Sequence, residues 1–76
     1  MARSFQDDDL ITWEAFASSG RFGYARNAHL VFNCLSDLSR RALVIQRTGD
    51  RAEVEREVMN MPEEKLRELL QQAQSN

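Results

Sequence analysis

The stretch from residue 28 to residue 47 holds the longest run of apolar positions in the chain. At about 100° per residue, seven of these positions fall within an arc of about 140° on a helical wheel. They are Leu30, Val31, Cys34, Leu35, Leu38, Ala42 and Ile45. Asn27 suits the N-cap before this stretch, and Gly49 suits the position after its end. The pattern therefore predicts a helix over 28–47.

The same stretch has a second interpretation as a β-hairpin. Residues 29–35 and 42–47 are rich in types that favour strands, and the serines and the aspartate between them favour a turn. Neither run alternates apolar and polar residues, so each strand would need burial on both faces. A short chain has little material to cover two faces, which favours the helix and keeps the hairpin as the alternative.

Helices are also predicted before and after the central stretch. Leu10, Trp13 and Phe16 would share one side of a helix that begins at the acidic run ending in Asp9. Pro62 suits the first position of the last helix. The predicted fold is all-α, a bundle of three to four helices at about 9–19, 28–47, 51–60 and 62–74. The alternative is α+β, with a three-stranded antiparallel sheet at about 10–17, 29–35 and 42–47 followed by C-terminal helices.

Length and composition indicate one small domain over residues 1–76, with 1–8 and 75–76 expected to be mobile. No apolar run approaches the roughly 18 residues of a membrane helix, so a membrane partner is not expected. The first residues have no apolar core typical of an export signal. A single cysteine, Cys34, fits a reducing compartment. These features predict a cytoplasmic protein.

Positive charge is concentrated between residues 21 and 47, where five arginines accompany one acid in a chain of net charge −2. Arginines interleaved with aromatic residues can hold phosphates and stack bases. The candidate binding surface consists of Arg21, Phe22, Tyr24, Arg26, Arg40, Arg41 and Arg47. In the alternative interpretation, the aromatic side chains pack into the core, while the arginines are solvated or pair with the acidic C-terminal helices.

Catalytic chemistry has little support in the sequence. His29 is the only histidine, and with Cys34 it supplies fewer than the four ligands of a structural zinc site. A cysteine nucleophile would need contact with a histidine and a third, orienting group. The chain also lacks the glycine spacing and the Lys-Ser/Thr pair of a phosphate loop. We expect no catalytic residues, no metal, no cofactor and no enzyme activity.

Residues Phe32–Ile45, FNCLSDLSRRALVI, resemble a segment of the winged-helix repressors of the ArsR type. The shared features are a leucine-serine-aspartate sequence and paired arginines before an apolar end, whereas Leu38 stands where those proteins usually have a proline as the turn residue. The resemblance implies a helical, DNA-binding fold. The sequence departs from that family because its last helix, which would enter the major groove, is rich in glutamate and would be repelled by phosphates. No wing hairpin follows, and the resemblance does not assign a family.

The sequence therefore predicts a small, non-catalytic interaction or regulatory module that binds a protein partner or itself. The stripe of Leu66, Leu69 and Leu70 is interpreted as core, with a dimer seam beside Met59 and Met61 as its alternative. The alternative function is a nucleic-acid-binding module that uses the basic and aromatic segment 21–47.

Overall fold

The protein forms a five-stranded antiparallel sheet followed by two helices, in a computed structural model that describes residues 2–19 and 27–75. The strands lie side by side in sequence order. The elements are β1 Arg3–Gln6, β2 Thr12–Ser18, β3 His29–Cys34, β4 Leu43–Gln46, α1 Arg51–Asn60, α2 Glu63–Gln72 and β5 Gln74–Ser75. The fold class is α+β.

The predicted all-α bundle, and with it the description of the protein as helical, is wrong. The predicted helix over 28–47 is instead strand β3, a loop and strand β4, with Val31 directly opposite Val44. Leu30 is fully buried and Val31 is half-buried, because neighbouring strand residues point to opposite faces. Apolar residues on both faces hide the alternation that would have identified the strands.

The predicted helix over 9–19 is also wrong, since this region contains strand β2. Trp13 and Ala15 are buried on one face of the sheet, whereas Phe16 points to the other. The α+β alternative included strands close to β2, β3 and β4, but it omitted β1 and β5. The expected mobility at 1–8 and 75–76 stays a prediction, although parts of both segments pair as strands.

The segment that resembles a winged-helix repressor, residues 32–45, contains the end of β3, the following loop and most of β4. The helical structure implied by the resemblance is therefore not present at these residues. The two C-terminal helices lie close to the predicted 51–60 and 62–74. The Asp50 side chain accepts a hydrogen bond from the Glu53 amide (2.9 Å) and caps α1.

The core lies between one face of the sheet and the two helices. The Phe5 and Phe32 rings meet edge to face, with centroids 5.9 Å apart. The sheet contributes Phe5, Trp13, Ala15, Leu30, Phe32 and Cys34, and the helical region contributes Val54, Val58, Met61, Leu66, Leu69 and Leu70. Burial of these side chains is the main favourable contribution to folding.

Two arginines attach the helices to strand β1. A guanidinium nitrogen of Arg3 donates to the carbonyl oxygen of Val58 (3.0 Å) and to that of Met61. Arg3 thereby supplies a cation and hydrogen bonds at the C-terminal end of α1, where carbonyl groups lack partners within the helix. Arg67 Nε on α2 donates to the Gln6 carbonyl oxygen (2.9 Å).

Asp7 organises the connection between β1 and β2. Its Oδ1 accepts hydrogen bonds from the backbone amides of Asp9 (2.8 Å) and Ile11 (3.0 Å), and its Oδ2 accepts one from Trp13 Nε1 (2.9 Å). Partial burial acts to raise the pKa of Asp7. The three hydrogen bonds and the charge of Arg40 outweigh that effect and leave the pKa below its ordinary value of 3.8.

Replacement of Asp7 by asparagine should destabilise the protein at neutral pH by about 1 kcal/mol, because an amide cannot accept all three hydrogen bonds. A carboxylate with a lowered pKa in the folded state stabilises the fold above its unfolded-state pKa, and that contribution is lost as the pH falls through the folded-state value. The difference in denaturant-derived unfolding free energy between wild type and Asp7→Asn should therefore shrink below about pH 4. An equal difference at pH 7 and pH 2.5 would contradict this role, and Asp8→Asn is the matched control.

Leu10, in the same connection, has a φ of 63° and is 74% exposed. The left-handed region costs a non-glycine residue about 1–2 kcal/mol, which exceeds the entropic cost of introducing a glycine. We therefore expect Leu10→Gly to stabilise the protein by about 0.5 kcal/mol, or about 3 °C in midpoint temperature. Leu38→Gly is the control, because Leu38 is also highly exposed but has a negative φ. If both glycine variants were destabilised to the same extent, strain at Leu10 would be ruled out.

Candidate functional site

The candidate surface of arginines and aromatic residues is only partly described by the structure. Arg21, Phe22, Tyr24 and Arg26 lie outside the described residues. Arg40 and Arg41 are exposed in the loop between β3 and β4. Arg47, after β4, is half-buried, and its Nε donates to Glu57 Oε1 on α1 (3.0 Å). Arg47 therefore pairs with an acidic helix, as the alternative interpretation of the arginines proposed.

The described arginines do not form one patch. Arg40 and Arg41 precede β4 and Arg47 follows it, so about six residues of extended chain, or about 20 Å, separate Arg41 from Arg47. Ser18 and His29, the strand residues on either side of residues 20–26 in the sequence, lie at the Arg47 end of the sheet. Arg40 is further engaged by Asp37, whose Oδ2 is 3.8 Å from Arg40 Nε.

His29 and Cys34 lie on opposite faces of β3. The Cys34 side chain is in the core, with 2% of its surface exposed, while His29 is half-buried on the other face. They cannot form a nucleophile pair or share a metal ion in this arrangement. Within 2–19 and 27–75, no group of three or more histidine, cysteine, aspartate or glutamate side chains is placed to hold a metal.

The leucine stripe of the last helix belongs to the core. Leu66, Leu69 and Leu70 are all buried, and so is Met61. Of the residues considered for a dimer seam, Met59 alone is exposed. The stripe is therefore occupied by intramolecular packing, and any interaction surface must lie elsewhere.

The second face of the sheet, which we call the open face, is left uncovered by the described helices. Both helices pack on the core face. Cross-strand partners point to the same side of a sheet, so the register assigns the residues of the open face. They are Ser4, Gln6, Thr12, Glu14, Phe16, Ser18, His29, Val31, Asn33, Val44, Gln46 and Gln74.

An apolar row crosses the centre of the open face. Phe16 on β2 lies opposite Val31 on β3, and Val31 lies opposite Val44 on β4. All three side chains are half-buried. We call them the central row; no described segment packs over it. An apolar patch framed by polar residues is typical of an interaction site.

Polar rows lie on both sides of the central row. Glu14 pairs with Asn33 on one side, and Ser18, His29 and Gln46 align on the other. Glu14 is the only acidic residue among the described strand residues of the open face, and none of them is a lysine or arginine. The face can therefore make apolar contacts and hydrogen bonds, but its described residues offer no cation for phosphates.

Three exposed leucines lie at one end of the sheet, in the β1–β2 and β3–β4 connections. Leu10, Leu35 and Leu38 are 74%, 42% and 83% exposed. The two connections are held together, since the Leu35 amide donates to the Thr12 carbonyl oxygen (2.9 Å) and the Thr12 amide to Ser36 Oγ (3.0 Å). Leu35 follows the last residue of β3, so this apolar surface adjoins the open face.

Sequence reasoning missed the open face because Phe16 and Val31 were assigned to apolar sides of helices. The signal that could have identified it is the alternation of burial-prone residues in β2, where Trp13 and Ala15 share one face and Glu14 and Phe16 share the other. Side chains alternate between the two faces of a strand, so Phe16 is an apolar residue on the face of β2 that otherwise carries polar residues.

Comparison with known proteins gives no assignment: no protein-family model, no curated protein and no solved structure matches the chain. Neither of the two helices in the described part of the chain is long and apolar enough to cross a membrane.

The position of Cys34 leads to a measurable expectation. Because the thiol is buried under the helices, its reaction with a soluble disulfide reagent should be at least about a hundredfold slower in the native protein than in denaturant, as expected when labelling requires opening of the core. Absorbance of the released thiolate measures both rates. Equal rates in the two conditions would show that Cys34 is not in the core. Separate reactions of free cysteine with the reagent, with and without denaturant, control for the effect of denaturant on the reagent.

Proposed function

We propose that this protein is a non-catalytic interaction module that binds a protein partner through the open face of its sheet. The observation that carries the proposal is the central row, Phe16, Val31 and Val44, which crosses the middle of the face without a covering element among the described residues. Sheets of this kind usually keep one face polar toward water. An apolar centre on that face is what a docking surface requires.

The central row is large enough to contribute to binding. Complete burial of a valine or phenylalanine side chain contributes about 1.5–3 kcal/mol, and these three are already half-buried. Covering the row should therefore add on the order of 2 kcal/mol. The polar rows, with Glu14 and Asn33 on one side and His29 on the other, can add hydrogen bonds at the rim.

The nucleic-acid alternative has weaker support from the described residues. Arg40 and Arg41 lie at one end of β4 and Arg47 lies at the other, where it pairs with Glu57. A phosphate backbone requires several cations on one surface. Binding through Arg21 and Arg26 stays a prediction from the sequence.

Selection of peptides from a random display library against the folded chain tests the proposal. Peptides that bind should shift the backbone amide resonances of Phe16, Val31 and Val44 more than those of the helices. The variant Val31→Lys should weaken binding at least about tenfold, because it places a charge in the central row. Glu64→Lys on the exposed surface of α2 is the control and should bind as the wild type does.

The proposal would be wrong if the selected peptides bound only to the helices or the loops, or if no binder were obtained. Circular dichroism and the fluorescence of Trp13 establish that Val31→Lys is folded. Val31 points away from the core, so we expect both signals to match those of the wild type.

A further inference from the structure

We infer that the partner of the open face is a second copy of this chain, packed face to face about a twofold axis parallel to the central row. This inference rests on the proposed use of the open face as a docking surface. It is supported by the arrangement of the polar rows, which become complementary to each other when the face is turned over onto itself.

Of the twofold axes that superpose the centres of two open faces, one runs along the strands and one runs along the central row. With the axis along the strands, β3 faces its own copy, so His29 lies over the partner's His29. With the axis along the central row, every strand faces its own copy in the partner. The polar row on one side of the axis then faces the partner's polar row from the other side. Glu14 then faces the partner's Ser18, and Asn33 faces the partner's His29.

The arrangement with the axis along the central row brings a hydrogen-bond acceptor of one copy close to a hydrogen-bond donor of the other. Glu14 and the partner's His29 are then offset by one strand, or about 4.8 Å, across sheets that pack about 10 Å apart. Both side chains are long enough to meet in that gap, where the imidazole N–H can donate to the carboxylate. Two such pairs form per dimer, because a twofold interface repeats every contact. The apolar central rows meet each other between them.

The same two residues cannot pair within one copy. Glu14 lies opposite Asn33 and Ser18 lies opposite His29, so Glu14 and His29 are four residues and one strand apart. That separation is about 14 Å. Any energetic coupling between Glu14 and His29 would therefore indicate contact between two molecules.

The small size of the open face predicts a weak dimer. At the usual strand rise and spacing, the five strands cover about 360 Å² of projected area per copy. Stable specific interfaces bury about 800 Å² per partner. The dimer should therefore be weak, with a dissociation constant of hundreds of micromolar, and it must be measured at protein concentrations up to about 1 mM.

Sedimentation equilibrium of the wild type and of charge-exchange variants tests the inference. Glu14→Lys and His29→Glu should each raise the dimer dissociation constant about tenfold, since each places like charges or an unpaired group at both repeated contacts. The double variant Glu14→Lys/His29→Glu should return it to within about threefold of the wild-type value, because the exchanged charges attract. Glu64→Lys makes the same charge change outside the face and should leave the dissociation constant unchanged.

Each outcome has a definite meaning. Failure of the double variant to recover association, with both single variants weakened and folded, would overturn the twofold arrangement. A monomer at 1 mM whose open face still binds selected peptides would overturn self-association and leave the proposed function intact. A monomer whose open face binds no peptide would overturn both. Circular dichroism of every variant separates lost association from lost folding.

Discussion

Coverage of the sheet by helices is the constraint on which the rest of the structure depends. Two helices of ten residues each follow four consecutive strands, and both pack on the same face. Each helix is about 15 Å long, so together they can cover one face of this sheet and not two. Leu30 and Phe32 on that face have no exposed surface, whereas Val31 between them is half-exposed on the other face. The strongest packing and the proposed docking surface therefore arise from the same strand.

The edges of the sheet are treated differently from its open face. Strand β1 is short and is tied to both helices, through Arg3 to the end of α1 and through Arg67 to the carbonyl of Gln6. Strand β5 is also short and covers β4 at only two positions, Leu43 and Val44. Short edge strands reduce edge-to-edge pairing with other chains. Pairing through the edge strands thus competes less with an interaction through the open face.

The C-terminal helices could be predicted from the sequence because their signals are local. Asp50 caps α1, Pro62 precedes α2, and the leucines of α2 recur at helical spacing. Strands β2, β3 and β4 entered only the alternative prediction, since Val31 and Val44 made their runs continuously apolar, and such a run fits a buried strand and a helix equally well. The observation that a hairpin would need burial on both faces was nevertheless informative. The structure buries one of those faces under the helices, and no described element covers the other.

The candidate site was harder to predict than the fold, for a physical reason. The arginines are easily recognised in the sequence, but strand β4, of four residues, separates Arg41 from Arg47. Arg47 also forms a hydrogen bond with Glu57 on α1. Phe16 and Val31 become a surface only when the register of β2 and β3 is known. Pairing between segments far apart in sequence is set by the whole core, so no local pattern specifies it.

The order of the strands has a consequence for how the chain reaches this structure. Because every strand pairs with the next one along the chain, the first four can assemble hairpin by hairpin, each closing a short loop at low entropic cost. By contrast, the hydrogen bonds from Arg3 to Val58 and from Arg67 to Gln6 join residues 55 and 61 positions apart. Folding should therefore begin as a sequence of local hairpins and finish when the helices dock, with both arginine contacts forming in the last step.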